Sequence, residues 1–363
     1  MTKVKQAQSE YSFDPDYVTE PGDILLETTA ALGITQKELA ARTGFTAKHI
    51  NQLIRGVKRI SPETALRLEK VTSVPARFWN NLETKYQERK ARIADQQATS
   101  KDLAWLKLIP TGELIRRNAI RTTSDQSELI QETLTFFRVA SVKAWCQGWT
   151  TSRISFRKSA DADACSGKIA AWVRLAEMDA ESVDSKPFDA KRFQSALHDL
   201  RKLAAAGPDV FVPAMRHKCS EAGVAVALVQ EIPGGKVSGA AKWLNPRKAM
   251  IALNLRGKAL DKFWFTFFHE AAHILNDSHD EVFIDVDYVD DPREKSANDF
   301  ARDLLIPPGY ADRLRTLRSD ADVVEFSRLI QVHPCIVVGR LQRERIWPFN
   351  RKTTLKARLD WAE

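Results

Sequence analysis

One stretch constrains this chain more than any other: Phe263-Trp264-Phe265-Thr266-Phe267-Phe268-His269-Glu270-Ala271-Ala272-His273-Ile274-Leu275. It is almost wholly apolar, yet it carries two histidines and a glutamate in H-E-x-x-H spacing. Wound as a helix, the run puts His269 and His273 one turn apart on the same face, with Glu270 beside them. Apolar cores seldom take in such groups without a partner for each, because an unpaired buried polar or charged group is costly. Two imidazoles so placed can hold one zinc ion, with Glu270 positioned to polarise a water, which is the chemistry of a zinc-dependent peptidase.

A third ligand is expected downstream. The segment from Asp291 to Pro308 begins like a helix, with Asp291 as N-cap and Pro292 at the first position, and stops at the pair Pro307-Pro308. Glu294, Ala297, Asn298, Ala301 and Leu305 then share one face, and its small alanines let the two helices approach closely. Glu294 can complete a His, His, Glu site with the fourth position left for water; as a first-turn acid it can also serve the helix dipole. Upstream, residues 223–229 and 250–255 read as strands, so this region mixes a small sheet with its helices.

The other end of the chain carries an independent signal. From Pro21 to about Lys90 the pattern is a bundle of short helices with helix-turn-helix grammar: Thr35 and Glu38 form a capping box, Gly44 marks the turn, and Thr46 caps the next helix. Leu39, Ala40, Phe45, Ile50, Leu53 and Ile54 are the expected inside. Ala47, Lys48, Asn51 and Gln52 are left to enter a major groove, with Gln36 and Thr46 at the same DNA-facing side. No acid occurs between Glu38 and Glu63, whereas Arg42, Lys48, Arg55, Lys58 and Arg59 do, a local positive face of the kind phosphate binding requires. A helical unit of this size also serves as a docking module that touches no nucleic acid.

The 363 residues exceed one such unit and suffice for two or three domains with cores of their own. A formal net charge of +8 agrees with a nucleic-acid partner, though the local patch says more than the total. Cys146, Cys165, Cys219 and Cys335 form no C-x-x-C pair and read as reduced thiols of a cytoplasmic protein. No signal peptide or membrane span is expected, since even the Phe-rich run is interrupted by Lys262, His269, Glu270 and His273. The expected divisions are an arm over 1–20, the helix-turn-helix domain over 21–95, a helical middle segment over 96–212, and the sheet-containing domain over 213–363. Helix starts are expected at residues 123–126 and 188–189 and a break at Gly207-Pro208. The middle segment shows aromatic residues suited to a core and no legible chemistry, with room to house a small-molecule or partner sensor. Among the remaining histidines, His49 lies in the recognition helix, His198 and His217 read as surface or packing residues, and His333 is a candidate to orient substrate or a structural turn residue.

The sequence H-E-x-x-H followed by E-x-x-A-N-x-F-A-x-x-L-L-x-P resembles the ImmA/IrrE family of bacterial metallopeptidases, through His269, Glu270, His273, Glu294, Ala297, Asn298, Phe300, Ala301, Leu304, Leu305 and Pro307. The resemblance implies a zincin-like fold with Zn2+ held by His269, His273 and Glu294, Glu270 as general base and then acid, and His279 or His333 as the donor that steadies the oxyanion. It also implies that a strand beside the zinc pairs with an extended peptide substrate. Many relatives carry a further histidine where Asp277 stands here, which leaves the accessory group of the site open. Residues 21–90, through T-Q-K-E-L-A, I-N-Q-L-I-R-G, I-S-P-E-T-A-L-R-L and F-W-N-N-L-E-T-K-Y, resemble HigA-type antitoxins, a branch of the XRE helix-turn-helix proteins that bind palindromic operators as dimers. The expectation is a multidomain chain, mainly α with an α+β part. It is a DNA-binding regulator, a homodimer on double-stranded operator DNA, with a zinc endopeptidase domain that cleaves a repressor or a toxin-antitoxin partner. The alternative is a HigA-like antitoxin or repressor whose metallopeptidase fold is a metal-dependent sensor with little turnover; the intact Glu270 argues against it.

Overall fold

The computed structural model describes residues 19–99, 102–151, 162–277, 282–286 and 291–361. The chain forms two compact units, Met1–Lys101 and Asp102–Glu363.

The first unit is a five-helix bundle of α1 (Pro21–Ala31), α2 (Gln36–Thr43), α3 (Ala47–Ile54), α4 (Pro62–Thr72) and α5 (Ala76–Thr99). Helices α2, α3 and α4 begin where a hydroxyl satisfies an otherwise orphaned N–H: Thr35 accepts from Glu38 N at 3.2 Å, Thr46 from His49 N at 3.1 Å and Ser61 from Thr64 N at 3.2 Å. The capping box expected at Thr35 is half made. The Glu38 carboxylate pairs with Arg42 one turn on, instead of returning to the Thr35 backbone. Gly44 ends α2 with φ of 71°, a left-handed conformation that lets the chain turn sharply into α3. Leu25, Leu39, Ile50, Leu53, Leu68 and Trp79 fill the interior, Phe45 and Ile54 being partly buried at its edge.

In the second unit seven helices come first: α6 (Leu103–Leu106), α7 (Thr111–Arg116), α8 (Gln126–Phe137), α9 (Val142–Thr151), α10 (Ala162–Ser182), α11 (Ala190–Lys202) and α12 (Pro208–Glu221). Asp125, Asp189 and Gly207 are the N-caps of α8, α11 and α12, at the starts and break expected from sequence. A four-stranded sheet follows, built from β1 (Val224–Leu228), β2 (Val237–Asn245), β3 (Lys248–Leu253) and β4 (Val282–Val286) in the order β1-β3-β2-β4. β1 runs parallel to β3, whereas β2 is antiparallel to both β3 and β4. Between β3 and β4 lies α13 (Leu260–Asn276), and after β4 come α14 (Pro292–Leu305), α15 (Ala311–Leu314), α16 (Asp320–Ile330) and α17 (Pro334–Arg343).

Both faces of the sheet are covered. Val224, Val226, Ala249, Ile251, Ala241 and Trp243 belong to the core shared with α13, and Ala225, Ala227, Met250, Ala252 and Ala240 to the core shared with α10. That two-sided burial explains why β1 and β3 read as unbroken apolar runs. Trp264, Phe267 and Phe268 are fully buried, each stabilising the fold by roughly 1.5–3 kcal/mol, so α13 is embedded in the core. Among the described residues no helix is long and apolar enough to cross a membrane. Cys219 and Cys335 are buried thiols outside any disulfide.

Candidate functional site

Within α13 the three groups of the motif are almost out of contact with solvent: His269 is 3% exposed, Glu270 0% and His273 2%. Their Nε2 atoms bring the two imidazoles to 3.2 Å of each other. Helix α14 reaches this point because Ala297 and Ala301 are small and buried where it meets α13. The Glu294 carboxylate stands 3.1 Å from His269 Nε2 through Oε2 and 3.5 Å from His273 Nε2 through Oε1. Among the described residues His269, His273 and Glu294 form the one cluster of histidine, cysteine or acid whose ligand atoms all lie within 4.8 Å.

The donor chemistry of this cluster fits a metal cation. Asp277 Oδ2 lies 2.7 Å from His273 Nδ1 and holds the proton there, which turns the Nε2 lone pair toward the centre. Two imidazoles and a carboxylate then converge with lone pairs, and their separations match the roughly 3.3 Å between ligands about 2.0–2.1 Å from a tetrahedral metal. The three groups are also coupled electrostatically. Burial acts to raise the Glu294 carboxyl, but hydrogen bonds and charge from His269 and His273 outweigh it and hold the group at about 2. Burial likewise opposes protonation of His273, and Glu294 and Asp277 together overcome it and raise that imidazole above its ordinary value.

Packing fixes the geometry further. The Phe283 ring from β4 lies parallel to the His273 imidazole, with centroids 4.3 Å apart and planes at 8°, and the Arg293 guanidinium sits 5.2 Å from the Phe283 centroid. Glu270 is pressed against β2 at Gly239, where a Cβ would lie 2.7 Å from Glu270 Oε1 and 2.5 Å from Thr266 Cγ2. Only a glycine lets the strand pass so near the carboxylate. Of these supporting residues, Asp277 was legible as a carboxylate one turn beyond His273 on the same face. Phe283 and Gly239 carried no local signal, because their roles depend on strands that meet α13 only in the folded chain.

His333 is not in this cluster. Its Nδ1 accepts from Cys335 N at 3.1 Å as the N-cap of α17, and burial lowers its pKa, so the structure gives it the turn role considered for it. His279 lies outside the described residues.

In the first unit, α3 exposes Ala47 and Lys48, with Asn51 and Gln52 half-buried along the same helix, and Thr46 and Gln36 exposed at the starts of α3 and α2. Arg55, Lys58 and Arg59 are exposed in the segment after α3. His49 turns inward instead, stacked on Phe45 at 4.4 Å, with Lys58 Nζ 3.4 Å from its Nδ1. Arg67 lies over the Phe45 ring, 4.8 Å from its centroid, and completes a basic, well-anchored surface.

Residues 29–79 match the Helix-turn-helix family, and residues 223–341 match the IrrE N-terminal-like domain family of peptidases. The chain joins a helix-turn-helix domain to an IrrE-like peptidase domain. This is the organisation of a DNA-binding regulator with a protease-type domain. Among solved structures, an addiction module antidote protein of the HigA family from Coxiella burnetii is 27% identical, covering 23% of this chain and 92% of that one, with a TM-score of 0.22. The Pseudomonas aeruginosa antitoxin HigA, solved with the higBA promoter, is 29% identical over 23% of this chain and 90% of its own, again with a TM-score of 0.22. No curated protein matches the chain.

Proposed function

We propose that the protein is a DNA-binding regulator whose second unit is a zinc-dependent endopeptidase acting on a repressor or a toxin-antitoxin partner. The observation that carries this reading is the convergence of His269, His273 and Glu294 with Glu270 buried beside them, in one chain with a helix-turn-helix unit. His269 and His273 would hold the metal through Nε2 and Glu294 through its carboxylate, with Asp277 keeping His273 in the required tautomer. Bound there, zinc supplies Lewis-acid polarisation of the scissile carbonyl and of water. The Glu270 carboxylate takes the proton from the attacking water and delivers it to the leaving amine. β4 lies beside the site through Phe283 and is the last strand of the sheet among those described, so its outer edge is where an extended peptide would add as a further strand. On the DNA side, Ala47, Lys48, Asn51 and Gln52 read base edges, and Arg55, Lys58 and Arg59 neutralise phosphates of an operator bound by a homodimer.

The test is metal analysis of the purified chain together with proteolysis of the proteins encoded beside it. The wild type is expected to bind one zinc and cleave a neighbour. Glu270→Gln should keep the metal and lose cleavage; His269→Ala, His273→Ala and Glu294→Ala should lose both. Normal cleavage by Glu270→Gln would sink the mechanism. Full zinc occupancy with no cleavage of any neighbouring protein would favour a metal-dependent sensor instead.

A further inference from the structure

On the face of the sheet turned away from α13, a cavity of about 410 Å³ opens between α8, α10 and the β2–β3 hairpin. Its size is that of a small-molecule site. Four cations line it, Arg138, Arg174, Lys242 and Lys248, against two carboxylates, Glu177 and Glu181. The carboxylates are already shared. Glu177 pairs with Arg174 at 2.7 Å and with Lys242, while Glu181 takes Arg174 at 3.1 Å and both Arg138 nitrogens, Nη1 and Nη2, at 2.8 Å. Lys248 Nζ rests on the backbone carbonyls of Val183 at 2.5 Å and Glu181 at 3.5 Å. The lining therefore carries a net excess of positive charge, four cations against two acids, and Lys248 alone among the four has no carboxylate partner.

Three details bear on what the cluster can bind. Arg174 is 7% exposed, and although Nε bonds Phe136 O at 2.8 Å and Nη1 bonds the two acids, Nη2 makes no hydrogen bond with the described residues. That nitrogen is not among the buried donors cut off from solvent, so it is free to meet a ligand at the wall of the cavity. Arg138 stands at the C-cap of α8 with φ of 55°, a left-handed position that favours glycine. Asn245 uses its carbonyl oxygen to accept Arg247 N at 2.9 Å, which leaves its amide as a further donor at the rim. Phe137 and Leu244 supply an apolar wall beside the charges.

We propose that this cavity binds a small organic dianion, phosphate- or carboxylate-bearing, through Arg138, Arg174, Lys242 and Lys248. The ligand places one charged end on the arginines and lays its body along Phe137 and Leu244. The site is independent of the peptidase reading. It shares β2 with the metal centre, Lys242 facing one side of the strand and Gly239 the other.

Calorimetric titration of the full chain with inorganic phosphate, succinate and phenyl phosphate, at ionic strength held constant with chloride, tests this. Saturable one-to-one binding of at least one probe is expected, with phosphates favoured if the natural ligand is a phosphate and succinate if it is a dicarboxylate. Arg138→Gly removes the side chain while giving the C-cap the residue its backbone prefers. This variant should melt no lower than wild type and bind the probe at least tenfold more weakly. Lys242→Met should weaken binding similarly, providing a second comparison if the first variant folds poorly. The absence of saturable binding by all three probes overturns the proposal. So does equal affinity in wild type and in either folded variant, which would put the anion at the metal centre or on the DNA-binding face.

Discussion

Arg201 gives the sharpest test of how the candidate metal site is held. It stands in the last turn of α11, and its guanidinium reaches three backbone carbonyls: Nε to Leu304 O at 2.8 Å, and Nη2 to Leu305 O at 3.1 Å and to Ile330 O at 2.8 Å. Those carbonyls are the last of α14 and α16, where each helix exposes unsatisfied acceptors and the negative end of its dipole. One cation thus ties the C-terminus of the helix that carries Glu294 to two neighbours. Replacing Arg201 with Met keeps most of the apolar stem and removes the donors. Hydrogen bonds from a charged group contribute about 1.5–3 kcal/mol each, and because these share one guanidinium and regain some water, a net loss of roughly 3–5 kcal/mol is expected. At about 2–4 °C per kcal/mol for a unit of this size, the unfolding midpoint of the second unit should fall by about 6–20 °C. Near-ultraviolet dichroism of the full chain during heating reads this, and zinc titration of the same variant should show weaker binding because α14 is less firmly seated. Arg201→Lys should lie between, keeping charge without the three-way fork. A midpoint for Arg201→Met within 2 °C of wild type, on the same scale, would refute the clamp.

Gly239→Ala is expected to leave zinc content unchanged while lowering cleavage by about a hundredfold, because the new methyl displaces the Glu270 carboxylate. Removing that carboxylate with Glu270→Ala in the same background should recover part of the lost thermal stability, and strict additivity of the two changes would count against a direct contact. On the DNA side, Arg55→Ala or Arg59→Ala should weaken all duplexes alike and reduce the slope of log affinity against log salt by about one, whereas Lys48→Ala with Gln52→Ala should relax sequence preference; anisotropy over a salt series distinguishes the two, and an unchanged slope argues for the docking role. Burial, opposed by the backbone N–H groups of Lys262 and Asp261 itself, raises the Asp261 carboxyl above its ordinary 3.8. Its contribution to stability is full below that value and is lost as pH rises through the raised one, so Asp261→Asn should flatten this part of the urea-midpoint profile, and an identical profile would show that the group does not titrate there.

What could be read from the sequence was what neighbouring turns write together. The pair His269 and His273, the N-cap Asp291 with Pro292, and the turn at Gly44 are each complete within a few residues, and the folded chain has helices α13, α14, α2 and α3 at those places. β1 and β3 were legible because burial on both faces leaves an unbroken apolar run. β2 was not, since Ser238, Gly239 and Lys242 interrupt it. Gly239 is there to admit a carboxylate from another element, and Lys242 faces the cavity on the far side of the sheet. β4, at the sheet edge, hides for a similar reason: the value of Phe283 lies in a ring from α13.

The groups that hold the site steady come from far along the chain. Arg201 is 103 residues from the carbonyl of Leu304, and Trp172 donates from α10 to Val229 O at 3.1 Å, 57 residues on. The middle helices were set apart in the sequence because no chemistry is written in them, yet α10 lays Ile169, Ala170, Trp172 and Ala176 into the core it shares with the sheet. Their part is to back β2 and β3 from behind while α13 presses from the front. A ligand held between α10 and the β2–β3 hairpin would act on the strand that passes within contact distance of Glu270, so the segment with no legible motif is the one best placed to tune the carboxylate proposed as the base.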